Sequence, residues 1–175
     1  MIFIRMSKVE NRPAKEILSE TINKIRAIGL IHEKLLKTPN STTVDISVYL
    51  GDLIRHLKMS NSVSSKKIML SSEIDSIPLN VDISMYLGLI VNELITNSYK
   101  HAFADVTEGS IILRLKYDGK DHYLTMTDSG ASLRDHNSLF KMNTYGMQML
   151  DFFIKQINGS LEIATQNGTT VFIRF

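Results

Sequence analysis

Apolar residues recur along this chain with two different periods, and the change between them separates predicted helices from predicted strands. A helical pattern begins at Pro13 and ends near Pro39, because proline cannot continue a helix. A second helical pattern covers residues 45–59. A third follows Asp82, the expected N-terminal cap, and the last covers residues 147–157.

Alternation of apolar and polar residues predicts five strands. They cover residues 67–72, 110–117, 123–127, 159–164 and 169–175. Asp118-Gly119 lies between the second and third of these segments, where it predicts a hairpin. Helices come first and strands mixed with helices follow. We therefore expect an α+β fold, a two-layer α/β sandwich in which one mixed sheet is covered by helices.

The first predicted helix carries a long apolar stripe. Its members recur at steps of three and four residues: Leu18, Ile22, Ile25, Gly29, His32 and Leu36, with Ile28 and Leu35 widening the stripe. Such an apolar stripe is unfavourable in water on a lone helix. It therefore requires a partner helix. We expect it to pair with its own copy across a two-fold axis.

Composition narrows the class of protein. The 175 residues are 43% hydrophobic and 22% charged, which suits one compact domain with an added element. The formal net charge is +2 and the basic residues form no patch with aromatic platforms, so no nucleic-acid partner is expected. The chain has no cysteines, which excludes disulfides and cysteine-ligated zinc. The apolar runs are shorter than a membrane span, and we expect a cytoplasmic location.

The third helix carries the most informative polar residues. Glu93, Asn97 and Lys100 follow one another at helical steps, on a face different from the apolar one. An amide oxygen is a hard ligand for Mg²⁺, a carboxylate can orient a nucleophile, and an ammonium offsets phosphate charge. These residues are a plausible set for a magnesium–triphosphate group. The alternative is an ordinary solvated helix face.

Residues 92–102 resemble the N box of the ATP-binding domain shared by sensor histidine kinases, DNA gyrase and the Hsp90 chaperones. The resemblance implies that Glu93 helps to activate the attacking group and that Asn97 binds Mg²⁺. It also implies that Lys100 approaches phosphate. His101 stands where many members have Asn or Tyr, and it belongs to the expected nucleotide wall.

Asp128-Ser129-Gly130 follows a predicted strand and resembles the G1 box of the same family. The resemblance implies that Asp128 accepts a hydrogen bond from the adenine amino group. Gly130 would let the backbone come close to the nucleotide. Ser132 replaces the second glycine of that box, which makes the ATP lid stiffer or less well closed than is usual in the family.

Two further segments complete the pattern. Residues 144–150 resemble the G2 box of one kinase branch, where Gly146 frees the backbone at a helix start that favours phosphate. Residues 167–175 resemble the closing Gly-Thr strand and place Thr169 at the site. Each motif alone is a weak signal, but four motifs in the right order are a strong one. The resemblance covers nearly the whole chain. The implied architecture is the Bergerat-type ATP-binding fold, with ATP and Mg²⁺ as cofactors.

Residues 25–35 resemble the second dimerisation helix of the histidine kinase branch related to the HWE kinases. In that family the phosphoacceptor lies on the preceding helix, in a box like His-Arg-x-x-Asn-Asn, so His32 is not the acceptor. We therefore expect residues 1–40 to be a partial dimerisation hairpin that lacks this box. Residues 41–175 are then the ATP-binding catalytic domain.

The resemblance implies a two-component sensor kinase that moves the γ-phosphoryl of Mg-ATP to a histidine. Its downstream partner would be the receiver domain of a response regulator, and it would form a homodimer through its N-terminal helices. One alternative is a catalytically inactive, kinase-like docking or phosphotransfer module. Another is a serine kinase with the same ATP fold, such as an anti-sigma factor, although the dimerisation helix opposes this.

Overall fold

A computed structural model describes residues 12–37, 42–61, 66–130 and 145–175. Its helices are α1 (Arg12–Lys37), α2 (Ile46–Asn61), α3 (Val81–Asn97) and α4 (Tyr145–Gln156). Its strands are β1 (Thr43–Asp45), β2 (Lys67–Ile74), β3 (Pro78–Asn80), β4 (Glu108–Tyr117), β5 (His122–Asp128), β6 (Ser160–Ala164) and β7 (Thr169–Arg174). The four predicted helices and five predicted strands are confirmed, with ends displaced by a few residues.

The main sheet has five strands in the order β2-β4-β5-β7-β6. β2 and β4 pair in parallel, whereas the other three pairs are antiparallel, so the sheet is mixed. Alternating residues of β4, β5 and β7 are buried: Ile111, Leu113, Leu115, Leu124, Met126, Val171 and Ile173. The sheet therefore presents one face to the helices, and the expected α+β sandwich is confirmed.

Helix α3 is the centre of the helical layer. All residues from Leu87 to Ile95 are buried, including the polar Asn92 and Glu93. The apolar members fill the space between sheet and helices, since burying one large aliphatic side chain stabilises a fold by about 1.5–3 kcal/mol. A buried carboxylate in this helix needs a compensating partner.

The start of α3 differs from the prediction. The cap is Asn80, whose side chain accepts a hydrogen bond from the Asp82 backbone N–H at 2.8 Å. Asp82 lies inside the first turn, where its negative charge interacts favourably with the positive end of the helix dipole. The prediction of Asp82 as the cap was wrong because both residue types are good caps and only the backbone path decides between them.

The end of α3 also departs from regular geometry. Residues Ser98–Ala102 form one π-helical turn, in which the Phe103 N–H donates to the Ser98 carbonyl at 3.1 Å. The wider turn inserts one residue, so Lys100 and His101 do not continue the α-helical register of Glu93 and Asn97. The regular spacing assumed from the sequence ends at Asn97.

Helix α1 packs on the rest of the fold through a face that the apolar stripe does not include. Ala27 and Ile31 are buried, and the Tyr49 hydroxyl donates to the Ala27 carbonyl at 3.0 Å. Leu18, Ile25 and Ile28 of the predicted stripe remain 37%, 54% and 45% exposed. The division into residues 1–40 and 41–175 stays a prediction.

Two short strands were not predicted. β1 pairs antiparallel with β3, with Val44 opposite Leu79. Each has three residues, too few for a periodic pattern in the sequence. The Ile46 N–H at the start of α2 donates to the Ile77 carbonyl at 3.0 Å, and the Val81 N–H at the start of α3 donates to the Thr42 carbonyl at 3.2 Å, so the two helices start from opposite ends of this short ribbon.

Candidate functional site

The site is built around the carboxylate of Asp128, the last residue of β5. It is 3% exposed and accepts three hydrogen bonds. Ser98 Oγ donates to Oδ2 at 3.0 Å, while the backbone N–H groups of Gly130 and Thr169 donate to Oδ1 at 3.1 and 3.3 Å. A carboxylate has about four acceptor positions, so Oδ2 keeps capacity for one more donor.

Burial raises the pKa of the Asp128 carboxyl above its usual range, and the hydrogen bonds from Ser98, Gly130 and Thr169 oppose that rise. A buried acceptor that is held on three sides is preorganised to receive a further N–H or O–H group.

Two glycines let the backbone close around Asp128. A Cβ on Gly130 would lie 2.4 Å from the Ala102 carbonyl oxygen, so the strand end sits directly against the end of the π-helical turn. Gly168 has φ +114° and a Cβ there would lie 2.0 Å from the Asp128 carbonyl oxygen. Only glycine fits both the conformation and the space at position 168. Thr169 is thereby brought to Asp128.

Glu93 lies one turn before Asn97 and is 4% exposed. Its Oε2 is 3.0 Å from the Nζ of Lys24 in α1, and a Cβ on Gly146 would lie 2.2 Å from its Oε1. The structure therefore brings Glu93 and Gly146 together, at the start of α4. Lys24 was not singled out from the sequence, because nothing in the spacing of α1 marks it.

The remaining predicted residues lie at the end of α3 and on the π-helical turn that follows it. Asn97 is half-buried as the last residue of α3, next to Ser98, which binds Asp128. Lys100 and His101 are exposed on the π-helical turn. The sequence did not single out Ser98, and its contact with Asp128 was missed.

Ser132 of the predicted lid and Thr144 of the predicted G2 box lie outside the described residues.

Within the described ranges, no three His, Asp or Glu side chains form a cluster that could hold a metal by themselves. Asn97 is the residue present that suits Mg²⁺, since its amide oxygen is a hard ligand. One protein oxygen is compatible with this ion, which keeps several waters and is shared with phosphate oxygens. In the same part of the chain, no helix has the length and apolar character needed to cross a membrane.

Solved histidine kinase domains share this α+β sandwich of a mixed sheet covered by helices. A solved histidine kinase domain from the Erythrobacter litoralis EL346 blue-light activated kinase superposes with a TM-score of 0.80. The match covers 99% of this chain and 89% of that one, at 18% identity. The Acinetobacter baumannii histidine kinase AdeS superposes with a TM-score of 0.63 over 91% and 77% of the two chains, at 16% identity.

Sequence comparison agrees with the fold. Residues 1–61 match the HisKA_2 family model, described as histidine kinase. The sensor histidine kinase PdtaS of Mycobacterium tuberculosis is 28% identical over 99% of this chain. The chain is thus similar in sequence and in fold to histidine kinases, and the resemblance drawn from its motifs is confirmed. It spans 35% of the length of PdtaS.

Proposed function

We propose that this chain is the Mg-ATP-binding kinase domain of a two-component sensor histidine kinase. It transfers the γ-phosphoryl group of ATP to a histidine and signals to the receiver domain of a response regulator. The observation that carries the proposal is the setting of Asp128, a buried carboxylate fixed by Ser98, Gly130 and Thr169.

In this proposal Oδ2 of Asp128 accepts a hydrogen bond from the adenine amino group. Gly130 and Thr169 hold the carboxylate in place, and Thr169 also lines the nucleotide site. Asn97 would hold Mg²⁺ through its amide oxygen, and Lys100 would offset the charge of the phosphates. His101 lies on the nucleotide wall. When bound, Mg²⁺ neutralises part of the charge on the phosphate oxygens.

Glu93 and Gly146 serve the phosphate end of the site. Glu93 orients the acceptor imidazole and takes up its proton, a role that requires hydrogen-bond reach to that ring. Gly146 keeps the start of α4 close to Glu93 and leaves N–H groups of the helix N-terminus available to phosphate.

Calorimetric titration of the protein with ATP, with and without Mg²⁺, tests this proposal. We expect saturable ATP binding that tightens when Mg²⁺ is present. Absence of ATP binding under both conditions would reject the nucleotide site and leave the inactive docking or phosphotransfer module as the better interpretation. The coverage of Glu93 by Lys24 is the observation that favours that second candidate.

A further inference from the structure

The contact between Lys24 and Glu93 joins the first helix to the candidate site. The two side chains are 18% and 6% exposed and their charged atoms are 3.0 Å apart. The pair Lys155–Asp151 on α4 is also close, at 2.6 Å, but its side chains are 69% and 60% exposed. Water screens an exposed pair, whereas loss of one partner from a buried pair leaves an uncompensated charge.

Both carboxylate oxygens of Glu93 are covered in this arrangement. Lys24 holds Oε2, and the backbone at Gly146 lies against Oε1. A general base must come within hydrogen-bond reach of the proton that it removes. An acceptor imidazole can reach Glu93 only after Lys24 has moved away.

We propose that the Lys24–Glu93 ion pair is an autoinhibitory latch, which withholds the catalytic carboxylate from the acceptor histidine while α1 is seated on α3. The inference rests on the proposed function, since it takes Glu93 as the catalytic carboxylate. In the open state α1 is displaced, Lys24 and Glu93 are both hydrated, and Glu93 is accessible.

Tyr49 of α2 ties α1 to α3. Its hydroxyl occupies the space at Gly88 of α3, where a Cβ would lie 2.0 Å away, and it donates to the Ala27 carbonyl of α1 at 3.0 Å. The seat of α1 therefore involves both α2 and α3.

The closed state is held by the ion pair, by the hydrogen bond from Tyr49 and by burial of Ala27 and Ile31. The other face of α1 exposes Leu18, Ile25 and Ile28, so a helix packed there acts on the same element that carries Lys24.

A distance measurement tests whether Lys24 holds α1 in place. Because the chain has no cysteines, Gly29→Cys and Glu162→Cys introduce two unique spin-label sites. A side chain at position 29 meets nothing within 4 Å, and Glu162 is exposed on β6. We expect a narrow distance distribution in the parent and a broader, shifted one after Lys24→Met. Lys24→Arg should preserve the narrow distribution, and the matched control Lys155→Met should not change it.

Chemical labelling tests whether the latch covers Glu93. A water-soluble carbodiimide should form a direct Lys24–Glu93 crosslink in the parent protein. With a small labelled amine present, Lys24→Met should raise labelling of Glu93 roughly fivefold or more, the lower end of typical coupling between sites. Ala27→Leu disturbs the fully buried seat of α1 without touching Lys24, and it should have the same effect. It keeps the test available if Lys24→Met fails to fold.

Activity and binding measurements separate the latch from the proposed function. Lys24→Met should raise the rate of phosphoryl transfer to a separate histidine-bearing helical hairpin of the same kinase branch, with ATP affinity unchanged. Unaltered spin-label distances and unaltered Glu93 labelling in folded Lys24→Met and Ala27→Leu proteins would overturn the latch, as would slower transfer. Failure of the parent protein to bind Mg-ATP would reject the proposed function, and with it the autoinhibitory role, even if the crosslink forms.

Discussion

Because of its buried environment, we expect Asp128 to contribute to ATP binding but not to the stability of the fold at neutral pH. Burial raises its pKa, so the folded state disfavours the ionised form. A carboxyl whose folded pKa exceeds its unfolded value favours folding most below the unfolded pKa. That contribution is lost as pH rises through the folded pKa.

Asp128→Asn should therefore weaken ATP binding without weakening the fold at neutral pH. We expect a loss of about 1.5–3 kcal/mol in binding, the range for a hydrogen bond to a charged group. The amide oxygen can still accept from Gly130 and Thr169, and Ser98 can turn its hydroxyl to accept from the amide nitrogen. Calorimetry measures binding, and urea unfolding between pH 3 and 7 should show the variant gaining stability relative to the parent as pH rises. Unchanged ATP affinity would contradict the role of Asp128.

Asp118→Asn is the matched control, and the pH dependence of its effect on stability should have the opposite sign. The backbone N–H groups of Asp121 and Lys120 lower the pKa of Asp118, which lies in the β4–β5 turn. Its stabilising effect is present above the unfolded pKa and is lost as pH falls through the folded pKa. This variant should lose stability at neutral pH and keep its ATP affinity.

Asn97→Ala tests the magnesium ligand. Removing the amide oxygen should abolish the Mg²⁺-dependent part of ATP binding and the phosphoryl transfer, because Asn97 would no longer hold the ion that would offset the phosphate charge. ATP titrations at zero and saturating Mg²⁺ measure the difference. Asn61→Ala, at the end of α2, is the control and should retain the metal dependence. Full transfer activity in Asn97→Ala would exclude this residue as the ligand.

At the scale of elements, the turn between β6 and β7 positions Thr169 at Asp128. Gly168→Ala should destabilise the fold by roughly 1–3 kcal/mol or more, because positive φ and the Asp128 carbonyl both oppose a side chain there. Gly29→Ala, on the exposed surface of α1, should stabilise it by about 0.5–1 kcal/mol. Urea midpoints of the two variants give the comparison. Equal shifts would show that turn geometry does not decide the effect.

At the scale of the whole molecule, the exposed apolar face of α1 predicts self-association. Ile28→Glu places a charge on that face and should shift the protein towards monomer, while the thermal midpoint changes little because Ile28 is 45% exposed. Light scattering over a concentration series measures the shift. Val48→Glu alters an apolar residue of α2 that is 49% exposed, and it should leave association unchanged. Equal effects of the two substitutions would place the interface elsewhere.

The same helix bears on self-phosphorylation. No histidine of these 175 residues lies in a box like His-Arg-x-x-Asn-Asn, and His32 lies on the expected second helix of the hairpin. We expect this polypeptide to bind Mg-ATP without labelling itself and to transfer phosphoryl only to an acceptor that is supplied separately. Incubation with γ-labelled ATP, followed by an acid-lability test, measures this. Acid-labile label mapped to one of the five histidines would contradict the prediction.

The sequence by itself determined what depends on near neighbours. Periodicity located four helices and five strands, and turn residues located the hairpins, because these signals are complete within a short window. The fold class followed from the order of helices and strands, and the resemblance to histidine kinases followed from four local motifs; both are confirmed. The roles of the site residues remain predictions.

Tertiary structure decided what depends on residues distant in sequence. The burial of Ala27 and Ile31, rather than the apolar stripe of α1, was set by the surfaces of α2 and α3. The choice of Asn80 over Asp82 as cap followed from the path of the chain out of β3. The pairing of Lys24 with Glu93 arose only once α1 lay on α3, since a buried carboxylate needs a compensating charge and local sequence does not reveal which cation will supply it.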